Sequence, residues 1–564
     1  MNKPLLSCLI CCLLGSVSVS GQLFKKKKKN NRADVTQEQV RTPRQQNRPS
    51  GLPKHELRGV WIASVNNIDF PEKPTRNSIA LQEQWKKLLD KHQKIGINAV
   101  VVQVRPAGDA LYPTVHAPWS YWLTGQQGIA PTRDFDPLEF MIREAHYRGM
   151  EFHAWMNPYR LSMNLDTTTL ADRHPFYRYR DWVLRYGNKY YFDPGIPEVR
   201  DHLAQVVEEV VTTYDVDAIH FDDYFYPYQT PGENFPDTTS FFTYGNEFAN
   251  IGDWRRSNTD SLIQRVHERI KARKPHVRFG ISPFGVWRNV QNDPMGSLTQ
   301  AGVTSYDGLY ADVLKWLKEG WIDYVAPQLY WNIGFGPADH EILVNWWKDH
   351  TYGRDLYIGH AVYKIDSDKN PEWSDPRELG RQLLLARHVP EVDGSILFSS
   401  RQILRNPLGV ADSMKQVYYR EPALPPIVEN SVLPQPAVPK LKRVGARKGI
   451  PQVKFRPNAT DRETAPAYYV VYRFEGDRVG DTNDPKNILL TLPINIPFKR
   501  ACDVTAKPGK VYTYVVTAVN RANQESKPSR KRTIIVRENS VKNVKYVDES
   551  YLKEIAQQRE RPVR

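Results

Sequence analysis

A carboxylate ringed by aromatic side chains and amide or guanidinium donors is the equipment of a sugar-processing site. Rings stack on pyranose faces, donors hold hydroxyls, and carboxylates stabilise an oxocarbenium-like transition state. This chain places such residues at the ends of short apolar runs. In Val216-Asp217-Ala218-Ile219-His220-Phe221-Asp222-Asp223, Ile219 and Phe221 share one face, which turns Ala218, His220 and Asp222 to the other. The same parity groups Gln103 with Arg105, His153 with Trp155 and Asn157, and Tyr324 with Gln328 and Tyr330. Neighbouring stretches add Trp119, Tyr121, Trp122, Tyr159, Tyr224, Tyr226, Tyr228, Trp287 and Trp331. Glycoside hydrolysis ordinarily takes two carboxyl groups, and parity supplies only Asp222, so the second is expected from a loop. Asp223 ranks first and Asp193 second, with Asp109, Asp69 and Asp307 behind them. Asp193 stands before Pro194-Gly195, where it serves equally well to set a turn, and Asp109 equally well braces a loop. Arg105, Arg160 and Arg288 follow strand ends or sit close to them and suit a carboxylated sugar; pairing with loop aspartates is the alternative. His153 and His220 read as hydrogen-bonded groups of the site rather than metal ligands. No His-Glu-x-x-His spacing or Gly-x-Ser-x-Gly elbow competes, so no metal and no cofactor is expected.

The elements that must position these residues alternate between apolar, β-branched runs and helical periodicity from Leu57 onward. Strands are predicted at Leu57–Ser64, Ala99–Arg105, Met150–Asn157, Val216–Asp222, Val277–Pro283, Ile322–Tyr330, Leu356–Tyr363 and Ser395–Ser399. Helices are predicted near 79–94, 137–148, 196–213, 258–273, 308–319, 338–350 and 376–388. That pattern is an α/β fold, a (β/α)8 barrel over 55–415, in which the polar ends of the strands form one mouth. A doubly wound sheet would want a Gly-rich phosphate turn after its first strand, and none is present. The segment of about 30 residues after Asp223 exceeds a simple connector and is expected to wall the cleft.

The chain has 564 residues, 40% hydrophobic and 25% charged, which fits a globular protein of two or three domains. Its net charge of +15 is concentrated at the start. Residues 1–50 carry ten Lys/Arg against Asp34 and Glu38, a net +8, so the remainder is only weakly basic and gives no reason to expect a nucleic-acid partner. Lys3, the apolar run Leu5–Val19 and Ser18-Val19-Ser20 read as a signal peptide over 1–20, hence export to the periplasm or cell envelope. Cys8, Cys11 and Cys12 would leave with it; Cys502 alone can form no internal disulfide. A lipid-bearing Cys8 after Leu5-Leu6-Ser7 is the less favoured alternative, because the apolar stretch before it is too short. Residues 21–54, with Lys25–Lys29, read as a solvated basic leader, with attraction to anionic envelope surfaces as the minor reading. Six prolines between 422 and 439 mark a stiff linker over 416–440. Period-two runs at Ala467–Phe474 and Val511–Val519 predict a small β-sandwich over 441–540, followed by a charged tail over 541–564.

Several motifs together resemble one family. Glu56-Leu57-Arg58-Gly59-Val60-Trp61, Gln103-Val104-Arg105-Pro106 with Asp109-Ala110-Leu111-Tyr112, and Pro118-Trp119-Ser120-Tyr121-Trp122 are joined by four more. These are His153-Ala154-Trp155-Met156-Asn157-Pro158-Tyr159-Arg160, Asp217 to Pro227, Gly280 to Arg288, and Ala326-Pro327-Gln328-Leu329-Tyr330-Trp331. They are similar to the glycosyl hydrolase-like 10 family of bacterial envelope proteins, and Tyr512 to Asn520 resembles strands of fibronectin type III domains. The first resemblance implies a barrel glycosidase of envelope glycans, one class of which acts on peptidoglycan strands stripped of their peptides. The fourth strand also resembles the Asp-Gly-x-Asp-x-Asp-x-Glu motif of chitinase-like barrels, but Tyr224 stands where the catalytic Glu would be. The expectation is an exported hydrolase of a polysaccharide with Asp222 as a catalytic carboxylate. A non-catalytic glycan-binding barrel, or an adhesion module working through its sandwich, are the alternatives.

Overall fold

Eight short apolar runs close into a parallel barrel: β1 (Leu57–Ile62), β2 (Ala99–Arg105), β3 (Glu151–Met156), β4 (Ala218–Phe221), β5 (Arg278–Ile281), β6 (Tyr324–Val325), β7 (Asp355–Ala361) and β8 (Val392–Phe398). Each strand pairs with its successor, and β8 closes on β1 with Leu57 opposite Gly394. The molecule is described by a computed structural model over residues 52–132, 135–429, 431–458, 465–494 and 499–547. The expected signal peptide with its three cysteines, the lysine run and residues 548–564 lie outside the described residues.

Helices fill every crossover, at Ser78–Ile95, Pro137–Tyr147, Pro197–Thr213, Ile251–Arg273, Val313–Lys318, His340–Lys348 and Glu378–His388. The first shows why they form. The Asn77 side chain accepts from the backbone N–H groups of Ile79 and Ala80, Leu81, Trp85 and Leu89 recur on one buried face, and Gly96 at φ 100° ends the helix. Strand parity sorts two cores. Val60, Val100, Val102, Ala154, Ile219 and Phe221 pack outward against helices, while Leu57, Trp61, Val101, Trp155, Ala218 and Tyr324 fill the interior.

Two elements depart from expectation. The sixth strand, predicted over Ile322–Tyr330, is regular only at Tyr324–Val325, because Pro327 has no N–H to continue the ladder; Gln328 then makes single bridges to Phe284 and Gly359. An antiparallel hairpin, Val183–Tyr186 with Lys189–Phe192, is inserted between β3 and β4.

After the barrel come nine antiparallel strands: β9 (Lys440–Leu441), β10 (Gly445–Arg447), β11 (Ile450–Arg456), β12 (Tyr468–Glu475), β13 (Ile488–Pro493), β14 (Arg500–Cys502), β15 (Val511–Val519), β16 (Arg532–Val536) and β17 (Val541–Val544). One sheet has β11 paired with β9, β10 and β14; the other runs β13-β12-β15-β16-β17. Val453 and Phe455 meet Tyr469, Val471, Tyr514 and Val516 between them. The expected tail thus begins later than 541, since Val541–Val544 adds a strand to β16 and Val541 packs on this core. In the proline-rich segment Leu424 is buried: its carbonyl accepts from the Glu56 N–H, and its side chain packs with Val470 and Tyr472.

Candidate active site

The C-terminal ends of the barrel strands enclose a cavity of about 230 Å³. Asp222 and Asp223 both line it, with Gln103, Trp155, Arg160, Tyr224, Gln328 and Tyr330. These are eight of the residues singled out in the sequence, contributed by β2, β3 and the segments that follow β3, β4 and β6.

A chain of amides orients Asp222. Gln103 Oε1 accepts from the backbone N–H groups of Ser64 (3.0 Å) and Val65 (2.9 Å), so its Nε2 is the donor to Asn157 Oδ1 at 2.6 Å. Asn157 Nδ2 is then the donor to Asp222 Oδ2 at 2.5 Å, and the Trp155 indole N–H reaches the same oxygen at 3.2 Å. Every flip in this relay is decided by the backbone donors at its start. Asp223 accepts from the Tyr228 hydroxyl. Burial and then the charge of Asp223 push the Asp222 carboxyl up to about 7, against the opposing pull of Arg160 and Asn157. Burial also raises Asp223, while the Tyr228 hydroxyl, Gln328 and Arg160 oppose it.

Arg160 is held by the Pro106 carbonyl, which accepts from Nε at 3.0 Å and Nη2 at 2.7 Å, and its guanidinium lies 5.3 Å from the centre of the Tyr224 ring. Opposite, Tyr330 meets Tyr363 edge-on and Phe398 at a tilt. Trp61, Ser282, Tyr363 and Phe398 line the cavity without having been singled out. The signal for three of them was present: Trp61 shares the parity of Leu57 and Gly59 on the first strand, Tyr363 ends the seventh predicted strand, and Phe398 is the penultimate residue of the eighth.

The other sequence candidates lie elsewhere. Arg105 was expected to face inward beside Gln103, but the register of β2 on β3 shifts between the two, and the bulge turns Arg105 aside to donate to the carbonyls of Asn157 (2.9 Å) and Pro158 (3.2 Å). Asp193 is buried away from the cavity, accepting from the Ser240 hydroxyl and the Gly195 N–H, which is the turn-setting alternative. Asp109 is buried beside Arg105, Ser120 and Gln127, bracing its loop. Asp69 accepts from the Ala63 N–H and the Ser399 hydroxyl, tying the ends of β1 and β8. Trp119 borders a separate opening of about 350 Å³ between the segments after β2 and β3. Tyr159 is buried, and Trp287 stacks on Trp346. Arg288 pairs with Asp307 (2.9 Å) and Asp293 (3.0 Å), and Trp331 packs edge-on against Phe284. His220 lies below the cavity, accepting from the Trp61 indole. Among the described residues no His/Cys/Asp/Glu group could hold a metal ion.

A buried carboxylate pair in an aromatic cavity at the mouth of a (β/α)8 barrel can deliver a proton and stabilise positive charge on a sugar ring. Comparison with known proteins agrees with that chemistry. The chain is 47% identical over 485 residues to "Glycosyl hydrolase YngK" of Bacillus subtilis (strain 168), covering 85% of this chain and 93% of that protein. It is 43% identical over 366 residues to "Glycosyl hydrolase DigH" of Escherichia coli (strain K12), covering 61% of this chain and 82% of that one. Residues 56–375 match the family Glycosyl hydrolase-like 10, so the chain belongs to that family and is a glycoside hydrolase.

Proposed function

We propose that the protein is exported to the bacterial cell envelope and cleaves peptide-free peptidoglycan strands, with Asp222 as the general acid and Asp223 as the second carboxylate. The observation that carries the reading is the pairing of these two buried carboxyls in one aromatic-walled cavity. Asp222, raised to about 7, retains a proton near neutrality and can pass it to the glycosidic oxygen. Asp223, bound by Tyr228, supplies the negative charge that an oxocarbenium-like transition state needs. The substrate class rests on the family resemblance and on Arg160, whose guanidinium lines the cavity and suits the lactyl carboxylate of N-acetylmuramic acid. Export rests on the charged and apolar pattern of residues 1–20. The two antiparallel sheets support a fibronectin type III-like C-terminal domain, which spaces or binds and does no chemistry.

Mass spectrometry of products from peptide-free peptidoglycan strands and a panel of other glycans tests the substrate. New oligosaccharides released from the peptidoglycan strands support the reading, whereas release only from another glycan reassigns the substrate. Arg160→Ala is expected to raise KM for the muramic-acid-containing strand by roughly 10- to 100-fold, the worth of a lost charge-assisted contact. An unchanged KM would remove the anionic group from the recognition scheme.

The pH profile follows from the same pair. Asp222 acts while protonated, so kcat/KM should fall as pH rises through about 7. Asp223→Asn removes the neighbouring charge that raises Asp222, so the alkaline limb of whatever activity is left should move to lower pH. A limb that stays in place or moves up would show that the proton resides elsewhere.

A further inference from the structure

Below the cavity, a file of buried polar groups passes through the barrel interior to the C-terminal β domain. The Trp61 indole N–H donates to His220 Nε2 at 3.2 Å, and His220 Nδ1 lies 3.0 Å from the Tyr324 hydroxyl. That hydroxyl lies 3.1 Å from His153 Nδ1, and His153 Nε2 lies 3.0 Å from Glu151 Oε2. Glu151 Oε1 accepts from Asn523 Nδ2 at 2.8 Å, and Asn523, in the loop after β15, is itself held by the Pro426 carbonyl at 3.0 Å. All six side chains are buried.

The direction of every bond in the file is set by its two ends. An indole N–H can only donate, so His220 Nε2 is bare and the neutral ring carries its proton on Nδ1. Burial favours that neutral form, holding His220 well below its ordinary value. The Tyr324 oxygen therefore accepts from His220, and its own proton goes to His153 Nδ1. Since Nδ1 is the acceptor, His153 carries its proton on Nε2 and points it at Glu151 at 3.0 Å; Arg278 Nη2, 3.3 Å from the same nitrogen, gives its own proton to Glu151 and keeps that carboxylate ionised through a buried ion pair. Glu151 Oε2 already takes His153 and Arg278, so Oε1 is the oxygen left for the C-terminal domain, and Asn523 supplies its donor.

We propose that the C-terminal β domain is a working part of the glycosidase barrel: Asn523 holds Glu151, the acceptor end of a directional hydrogen-bond chain that fixes the tautomers of His153 and His220, and through that chain orients Trp61 in the wall of the catalytic cavity. Asn523, Tyr324 and His220 are positioning residues. The catalytic consequence rests on the cavity being the hydrolytic site; the tautomer assignment does not.

Histidine-selective ¹⁵N spectra of the full chain read the tautomers without turnover. His220 should show a protonated Nδ1 and bare Nε2, and His153 the reverse. Asn523→Leu should shift both rings' signals, whereas Arg521→Ala should leave them in place. Arg521 joins the same domain to Asp215 and Asp217 on the barrel exterior and serves as the control for docking alone. If Asn523→Leu does not fold, Asn523→Asp keeps the size, replaces a donor by an acceptor and is read in the same way. In hydrolysis, Tyr324→Phe cuts the chain midway and should lower kcat/KM about ten-fold, with Asn523→Leu lowering it about three-fold. The double variant should then lose about ten-fold rather than the roughly thirty-fold of independent sites. Unmoved imidazole signals in the Asn523 variants, or multiplying losses, would overturn the proposal. A wild type that cleaves no glycan would defeat the functional reading while the spectra still decide this one.

Discussion

Asp222→Asn is expected to lower turnover of the glycan by on the order of 10³-fold, the usual worth of a positioned general acid, while making the protein more stable above neutral pH. Asparagine keeps the size and can still meet Trp155 and Asn157, but it carries neither a charge nor a transferable proton. The stability gain has a definite sign. The folded-state pKa is raised to about 7 from an ordinary 3.8, so the folded protein favours the protonated carboxyl. That contribution is fully present below about pH 4 and is lost as pH rises through about 7, where the folded chain must hold a buried anion beside Asp223. Removing the charge relieves a cost on the order of 2–4 kcal/mol at pH 8 and nearly nothing at pH 4. Melting temperatures at the two pH values, with product release by mass spectrometry, check both halves. Retained turnover would sink the acid assignment, and a variant less stable than wild type at pH 8 would contradict the burial argument. The combination is what a site that sacrifices stability for function should show.

Gly280→Ala is expected to damage folding rather than chemistry. A Cβ at this position of β5 would lie 1.9 Å from Cζ of the Tyr324 ring on the neighbouring strand, far inside contact distance. The ring cannot swing aside cheaply, because its hydroxyl sits between His153 and His220 and its face packs against the Tyr357 ring at 5.1 Å. Overpacking of this severity costs about 3 kcal/mol or more. The expected readout is a lower melting temperature and poor soluble yield, rescued in part by Tyr324→Leu in the same chain. A Gly280→Ala protein as stable as wild type would mean that β5 and β6 can separate enough to admit a methyl group.

The order of strands and helices, and with it the barrel, was legible in the sequence because each strand is a buried run bounded by an amphipathic helix. Such local patterns leave one economical closure. Parity along regular strands also placed Gln103, Trp155, Asn157, His220 and Asp222 on the interior side, since a period of two needs only an unbroken ladder. Where the ladder breaks, parity carries no information. The bulge in β2 sends Arg105 behind the Asn157 backbone, and Pro327 ends β6 early. Loop residues are decided by tertiary packing alone, because a neighbour in sequence can face any direction after a turn. The chain by itself could name Asp223 and Asp193 as rivals, but only the folded structure puts Asp223 in the cavity under Tyr228 and Asp193 in a turn under Ser240. Residue types and periodicity determined which groups could do chemistry; closure of the barrel, bringing the ends of β1, β7 and β8 across the mouth from those of β3 and β4, decided which of them share one small volume.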